Sequence, residues 1–297
     1  MKLATLLKNN RTDLALVVGN GINRYGAPRG ENSWDDLLSA LARSHLDPNH
    51  KAIPPGVSLT EFYDVLELAY TRTTDQPSLQ QQFCDLMSTW RPLRQHDFIA
   101  RWATQCNVPI LTTNFENTLG TAVACSHRRI GGERFTDYYP WDSYFGTDDI
   151  DDPCTQFAIW HINGMQQYRR SVRLGLSHYM GSVERARSWL HKGSQRLFKD
   201  GDMRIWDGAS TWLQVFFHKP LFFFGLGLSE TEVFLRWLLI ERARYFKKFP
   251  QHRKPGWYIY GPGEQDDGKE LFLKAVGIQS FAVSSYDEIY AASTWSP

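Results

Sequence analysis

The sequence predicts an α/β protein built on a doubly wound parallel sheet, with a helical module inserted after the first strand. Three observations carry this. Short apolar runs recur along the chain, each ending in glycine, asparagine or threonine. Segments with helical spacing separate those runs, the pattern that lays parallel strands side by side. The stretch from about 50 to 106 has helical patterning and no apolar strand run of its own.

Taken in order, DLALVVGNG (13–21) reads as a buried strand ending in a glycine turn. SWDDLLSALARSHL (33–46) reads as a helix, with Ser33 as N-cap, Asp36 completing a capping-box-like start, and Trp34, Leu37, Leu38 and Leu41 on one face. PNHKAIPPG is a linker. LTEFYDVLELAYTR, LQQQFCDLMSTWRP and QHDFIARWATQ read as helices. VPILTTNFEN (108–117) is a second buried strand running into a polar turn, and FAIWHING (157–164) a third. SVERARSWLH and WDGASTWLQVFF follow as helices. KPLFFFGLGLS is a fourth strand and loop, and ETEVFLRWLLIERARYFKKF its helix. PGWYIYGPGEQDDGKELFLKAVGI closes the pattern as strand, loop and helix. We read the chain as one domain, 1–297, with the helical insertion over 50–106.

Composition narrows the class. A formal net charge of +1 gives bulk electrostatics no reason to favour nucleic acid or an anionic membrane, so no direct sequence-specific nucleic-acid binding is expected. No apolar stretch reaches the roughly 18–20 residues of a spanning helix, so no membrane association is expected either. The N-terminal apolar run ends in a glycine loop instead of a small-residue cleavage site, which argues against a signal peptide. Cys84, Cys106, Cys125 and Cys154 form no C-x-x-C pair, so reduced cytoplasmic thiols are expected and a zinc ribbon or other metal is not.

In doubly wound sheets, ligands bind beyond the carboxyl ends of the strands. Four strand ends here carry polar or glycine-rich loops. In Gly19-Asn20-Gly21 the absent side chains allow close approach of a pyrophosphate, and following amides can donate to it. The spacing departs from G-x-G-x-x-G, because Arg24 stands at the third position, and a plain strand-to-helix turn has the same composition. Thr112-Thr113-Asn114 offers hydroxyls and a neutral amide that can position a water or a ribose hydroxyl but cannot act as a general base. His161-Ile162-Asn163-Gly164 holds the one histidine among these loops, a group able to take a proton near neutral pH. Gly225-Leu226-Gly227-Leu228-Ser229 precedes a helix.

Together, a G-x-G loop, T-x-N-[FI]-[DE], H-x-x-G and G-x-G-x-S before a helix resemble the sirtuin-like NAD-binding proteins. They are closer to the sirtuin-like NADases of bacterial anti-phage defence than to the deacetylases. TTNFE and FGLGLSETEVFLRWLL carry the most specific part of the resemblance, which spans roughly 13 to 280. It implies a Rossmann-like core with a helical insertion, NAD as substrate, and hydrolysis at the nicotinamide–ribose bond to deplete NAD in abortive infection. It also implies that Asn114 orients the attacking water and that a histidine accepts a proton from a ribose hydroxyl. Contacts to NAD are implied at Gly19, Asn20, Gly21, Asn23, Thr112, Thr113, Asn163, Gly225, Gly227, Ser229 and Glu232.

One departure matters. Relatives often carry H-x-H-G, whereas here Asn163 precedes the glycine and His161 alone remains. Either His161 is the base, which is favoured, or the base position is held by Asn163 and the chain binds NAD while cleaving it slowly. On an extended strand the two side chains, two residues apart, point the same way and share a site. The alternative function is then a catalytically weak NAD- or ADP-ribose-binding subunit of a defence complex. Deacylation is disfavoured by the missing cysteine quartet. No sensor segment is evident, so regulation is expected from self-assembly as a homo-oligomer or from a separate sensor or ATPase subunit. FLRWLLIERARYFKKF has an aromatic face and a basic end suited to such a neighbour, although packing in the chain's own core explains most of it.

Overall fold

The computed structural model describes residues 3–28, 31–71, 76–131, 139–200 and 204–296. Eight strands form one sheet: β1 (Ala15–Val18), β2 (Ile110–Thr112), β3 (Ser126–Arg129), β4 (Ser143–Gly146), β5 (Ile159–His161), β6 (Leu221–Phe224), β7 (Gly256–Tyr260) and β8 (Gln279–Ala282). Their order is β3-β4-β5-β2-β1-β6-β7-β8. The run from β5 to β8 is parallel throughout, while β3 and β4 pair antiparallel and attach antiparallel to β5. Counted in chain order, the parallel strands run 3-2-1-4-5-6, the doubly wound, Rossmann-like arrangement, and the order reverses between β1 and β6.

The strand residues alternate between two apolar layers, as the twofold period of an extended chain requires. Val17, Leu111, Trp160 and Phe223 face the helices Leu176–His191, Trp212–His218 and Val233–Lys248. Val18, Ile110, Ile159 and Phe224 face the helices Leu3–Asn10 and Arg94–Gln105 and the short turn Asp287–Tyr290. Because both faces are covered, the strands read as continuous apolar runs and not as an alternation.

A third apolar cluster unites the helices Trp34–His45, Leu59–Ala69 and Leu79–Leu86, and it meets the rest of the chain at Phe115, Val172 and Leu174. It starts ahead of residue 50, and the helix Arg94–Gln105 belongs instead to the layer on the sheet. Ser33 does not cap its helix; its hydroxyl donates to Asp35 at 3.3 Å. The capping box forms at Ser58 and Glu61, whose backbone N–H and side-chain oxygen groups pair reciprocally at 2.8 and 3.2 Å.

The helix after β6 begins at Val233, three residues later than the start read from the sequence at Glu230. Its aromatic face lies within the chain's own core, through Phe234, Leu238, Tyr245 and Phe246. Arg242 is fully buried on this helix and donates to the carbonyls of Phe216 and Lys219, both at 2.9 Å. That guanidinium fixes the helix to the end of β6 opposite the loops considered below.

Candidate functional site

The strand register brings the four loops together. Phe224 pairs with Val18, Val18 with Thr112, and Thr112 with His161, so these residues form one row across four strands. The chain therefore leaves the sheet at the same level at Gly19, Thr113, Ile162 and Gly225. The reversal of strand order lies within this row, between Val18 and Phe224.

The glycines of the two central loops serve each other first. A Cβ on Gly19 would lie 2.2 Å from the Cβ of Leu226 and 2.5 Å from the carbonyl oxygen of Gly225. One on Gly21 would lie 2.7 Å from the Cα of Gly225 and 2.6 Å from the hydroxyl of Tyr290. Gly225 itself has φ +68°, a conformation open mainly to glycine. The amide of Gly21 donates to the carbonyl of Gly225 at 2.7 Å, so it is already engaged and not turned toward an anion. Only at Gly227 does a Cβ meet open space. Three of these glycines close a backbone-to-backbone contact, and of those Gly21 and Gly225 also border the cleft that Gly227 faces.

That cleft, about 710 Å³, is lined by Asn20, Gly21, Thr113, Gly225, Gly227, Ser229 and Glu232 from the sequence-derived set. A second groove of about 500 Å³ shares Trp34, Asp35, Leu59, Ser229 and Glu232 with it, so the two run on between the sheet edge and the three-helix cluster. Arg24, Asp35, Glu264 and Tyr290 line the cleft without having been singled out in the sequence. Three carboxylates, Asp35, Glu232 and Glu264, face one arginine there, an arrangement suited to hydroxyl groups more than to bare anions. Burial pushes the Glu232 carboxyl above its ordinary value. Glu264 accepts from the hydroxyl of Tyr286 at 2.6 Å and from the amide of Gly261 at 2.8 Å.

Gly19, Asn23, Thr112, Asn114, His161 and Asn163 do not line the cleft. Asn114 and His161 are each 1% exposed, immediately inside the wall made by Thr113. The Nδ1 of His161 lies 2.7 Å from the carbonyl oxygen of Asn114. A carbonyl only accepts, so Nδ1 carries the hydrogen and Nε2 holds a lone pair. Burial pushes this imidazole down to about 4, which keeps it neutral. Its Nε2 is buried and has no hydrogen-bond partner among the described residues, and the same holds for the Oδ1 of Asn114. Thr112 steadies the turn: its hydroxyl donates to the carbonyl of Val18 and accepts from the amide of Asn114, both at 3.1 Å.

Asn163 is not on an extended strand. β5 stops at His161, and a turn closes from the amide of Gly164 to the carbonyl of His161 at 3.2 Å, with Gly164 at φ +99°. The two side chains therefore lose the common direction that an extended pair would have. The Nδ2 of Asn163 is 3.4 Å from the carbonyl of Thr113, while His161 engages Asn114.

Asn23 proves to be the hub of a second buried polar cluster. Leu93 donates its amide to Nδ1 of His96 at 2.9 Å, so Nε2 of His96 carries the hydrogen and donates to Oδ1 of Asn23 at 2.9 Å. Nδ2 of Asn23 then donates to Oε1 of Glu116 and to Oδ1 of Asn20, both at 2.8 Å. Thr118 adds a hydroxyl to the same Glu116 oxygen at 3.2 Å. Burial raises the Glu116 carboxyl to about 7, against the opposing pull of the Asn23 and Thr118 bonds. Burial holds His96 down at about 4. Glu116 was visible as the last residue of TTNFE, but nothing in the sequence ties His96 to it.

No protein-family model matches the sequence, and no curated protein matches it. Among the described residues no group of three or more histidine, cysteine or acidic side chains is placed to share a metal ion. No helix among them is long and apolar enough to cross a membrane.

Proposed function

We propose that the chain binds NAD in the cleft where the strand order reverses and hydrolyses the nicotinamide–ribose bond. The observation that carries this reading is the two buried acceptors without partners, Oδ1 of Asn114, next in sequence to the cleft-lining Thr113, and Nε2 of His161, in register with Thr112. An unsatisfied buried acceptor costs about 1–3 kcal/mol, so each calls for a ligand or water that supplies a hydrogen. In the proposed reaction Oδ1 of Asn114 accepts from the attacking water. Nε2 of His161 takes a proton from a ribose hydroxyl as positive charge builds at the anomeric carbon. Water adds to that carbon, nicotinamide leaves with the bonding electrons, and ADP-ribose and one proton are released.

On this reading the acidic side chains of the cleft receive ribose hydroxyls, and Gly227 and Ser229 border the path of the dinucleotide. The three-helix cluster is an inserted module that walls the cleft through Trp34, Asp35 and Leu59. The cellular role would be depletion of NAD in cytoplasmic anti-phage defence, in a homo-oligomer or together with a sensor or ATPase subunit.

One observation favours a second reading. His161 and Asn114 are 1% exposed and do not reach the cleft lining. A chain in which they stay covered would bind NAD or ADP-ribose and cleave slowly. Nicotinamide release from NAD, followed by liquid chromatography, tests both. Release by the native chain, abolished in Asn114→Ala and His161→Ala, supports the hydrolase. Calorimetric binding of NAD without release supports the binding subunit, and absence of binding overturns both.

A further inference from the structure

A second chamber, about 460 Å³, opens on the other side of the His161 turn, between β3, the helix Leu176–His191 and the turn before Trp212. This volume falls within the range of small-molecule sites, about 300–1,000 Å³. Its wall combines three guanidinium groups, Arg129, Arg173 and Arg185, with three aromatic rings, Tyr139, Trp141 and Trp189. Two carboxylates, Asp142 and Asp207, leave the lining one positive charge in excess. The main cleft has the opposite balance, with three carboxylates against Arg24.

The arginines are not all spent on the carboxylates. Asp142 takes the Nε and Nη2 edge of Arg129 through a single oxygen, at 2.9 Å from each. Nη1 of Arg129 is buried and has no partner among the described residues. Such a donor is costly to bury unless something accepts from it. Arg173 is 6% exposed, held over the Tyr139 ring at 4.9 Å, with Nε 3.3 Å from the hydroxyl of Ser182. Arg185 is exposed and lies 5.6 Å from the centre of the Trp189 ring. Trp141 and Trp189, both half-buried, meet edge to face at 4.9 Å. Guanidinium forks suit phosphate or carboxylate, and indole faces suit a flat ring.

We propose that this chamber is a second ligand site, taking a small anion that carries an aromatic ring, of the nucleoside monophosphate class. The anionic group sits on Arg185 beside the Arg129 guanidinium, and the ring stacks at Trp189, which Trp141, itself stacked on Trp212 at 5.5 Å, supports edge to face. The same wall holds the turn that carries His161 and Asn163. The hydroxyl of Tyr139 donates to the carbonyl of Ile162, and the amide of Arg173 donates to the carbonyl of Asn163 at 2.8 Å. Occupancy therefore restrains the 161–164 turn. This inference does not depend on what the main cleft binds.

The test is calorimetric titration of adenosine monophosphate, and separately of inorganic phosphate, into the chain carrying Gly227→Trp. That substitution fills the open space beside Gly227 and so removes the main cleft from the titration. The expected result is binding of the nucleotide, weakened about tenfold or more by Arg129→Gln with Arg185→Gln. Arg185→Glu alone, on an exposed side chain, should weaken it comparably and keeps the test valid if the pair fails to fold. Hydrogen exchange of the Ile162 and Gly164 amides should slow about threefold or more on nucleotide addition. Unchanged affinity in the arginine variants, phosphate bound as tightly as the nucleotide, or no nucleotide binding would overturn the site. Unchanged exchange would overturn its hold on the turn.

Discussion

Two buried polar clusters stand at the same edge of the sheet, and they differ in how far their polar atoms are paired. Around Asn23, the amide and both His96 nitrogens have partners and one Glu116 oxygen collects two donors, while the other Glu116 oxygen is buried without a partner among the described residues. Around Asn114 and His161, the two atoms best suited to chemistry have none among the described residues. A network with most of its atoms paired specifies a conformation, because every alternative breaks bonds that water cannot replace. An unsatisfied pair costs stability and is retained only where something else repays it. The contrast separates a cluster that shapes the first glycine loop from one that is prepared for a ligand.

The sharpest way to break this contrast is to remove the hub. Asn23→Leu strips donors from Glu116 and an acceptor from His96, and should cost roughly 3–5 kcal/mol in denaturant unfolding. A loss below about 1 kcal/mol would mean that the cluster does not act as a unit. Asn114→Ala should do the reverse. Its Oδ1 has no bond to lose and its Nδ2 only a long one, 3.4 Å to the carbonyl of Gly19, so unfolding should shift by no more than about 1 kcal/mol, while nicotinamide release falls about 10²-fold or more. A stability loss as large as that of Asn23→Leu would place Asn114 in the structural class.

Glu116 sharpens the comparison through pH. Its carboxyl is raised from 4.5 to about 7 in the folded chain, so between those values the folded state holds more protons than the unfolded one. Stability from this group is therefore greatest below the unfolded value and falls as pH rises toward 7, by on the order of 2–3 kcal/mol. Glu116→Gln removes that fall. The stability difference between native and variant chains should drift by that amount between pH 4.5 and 8; a flat difference would count against a buried titrating carboxyl. The smallest contrast lies in the glycines. Gly19→Ala should cost about 1–3 kcal/mol by overpacking against Leu226, while Gly227→Ala should stay within about 0.5 kcal/mol. Equal effects would erase the distinction between the glycine that packs and the glycine that faces the cleft.

Legibility in the sequence followed burial. β1, β2, β5, β6 and β7 are buried on both faces and stood out as apolar runs. β3 reads SHRR and β8 reads QSFA; they are edge strands, one half-buried and one largely exposed, with no apolar signal, and β4 is a four-residue partner in the antiparallel extension. The four loops were legible because glycine, threonine and asparagine at strand ends are a local signal. Their partners were not. His96 reaches Asn23 across 73 residues, and Tyr290 reaches the loops of Gly21 and Gly225 from the last elements of the chain. Asn163 was misjudged because an extended backbone was assumed one turn too far: Gly164 at φ +99° bends it, and a Cβ there would stand 2.1 Å from the carbonyl oxygen of Ser171.

The place of β1 has a consequence for biosynthesis. The first strand to leave the ribosome is the central one, and its partners Ile110 and Leu221 lie far downstream. At about 5–20 residues per second, Ala15–Val18 wait on the order of 10–40 s for β6 to be made. Until β2 is made both hydrogen-bonding edges of this wholly apolar segment lack their partners, and the edge that β6 covers lacks its partner for the whole of that time. Folding of the sheet is then governed by closure of long loops, and the nascent chain is most exposed to aggregation before residue 221 appears.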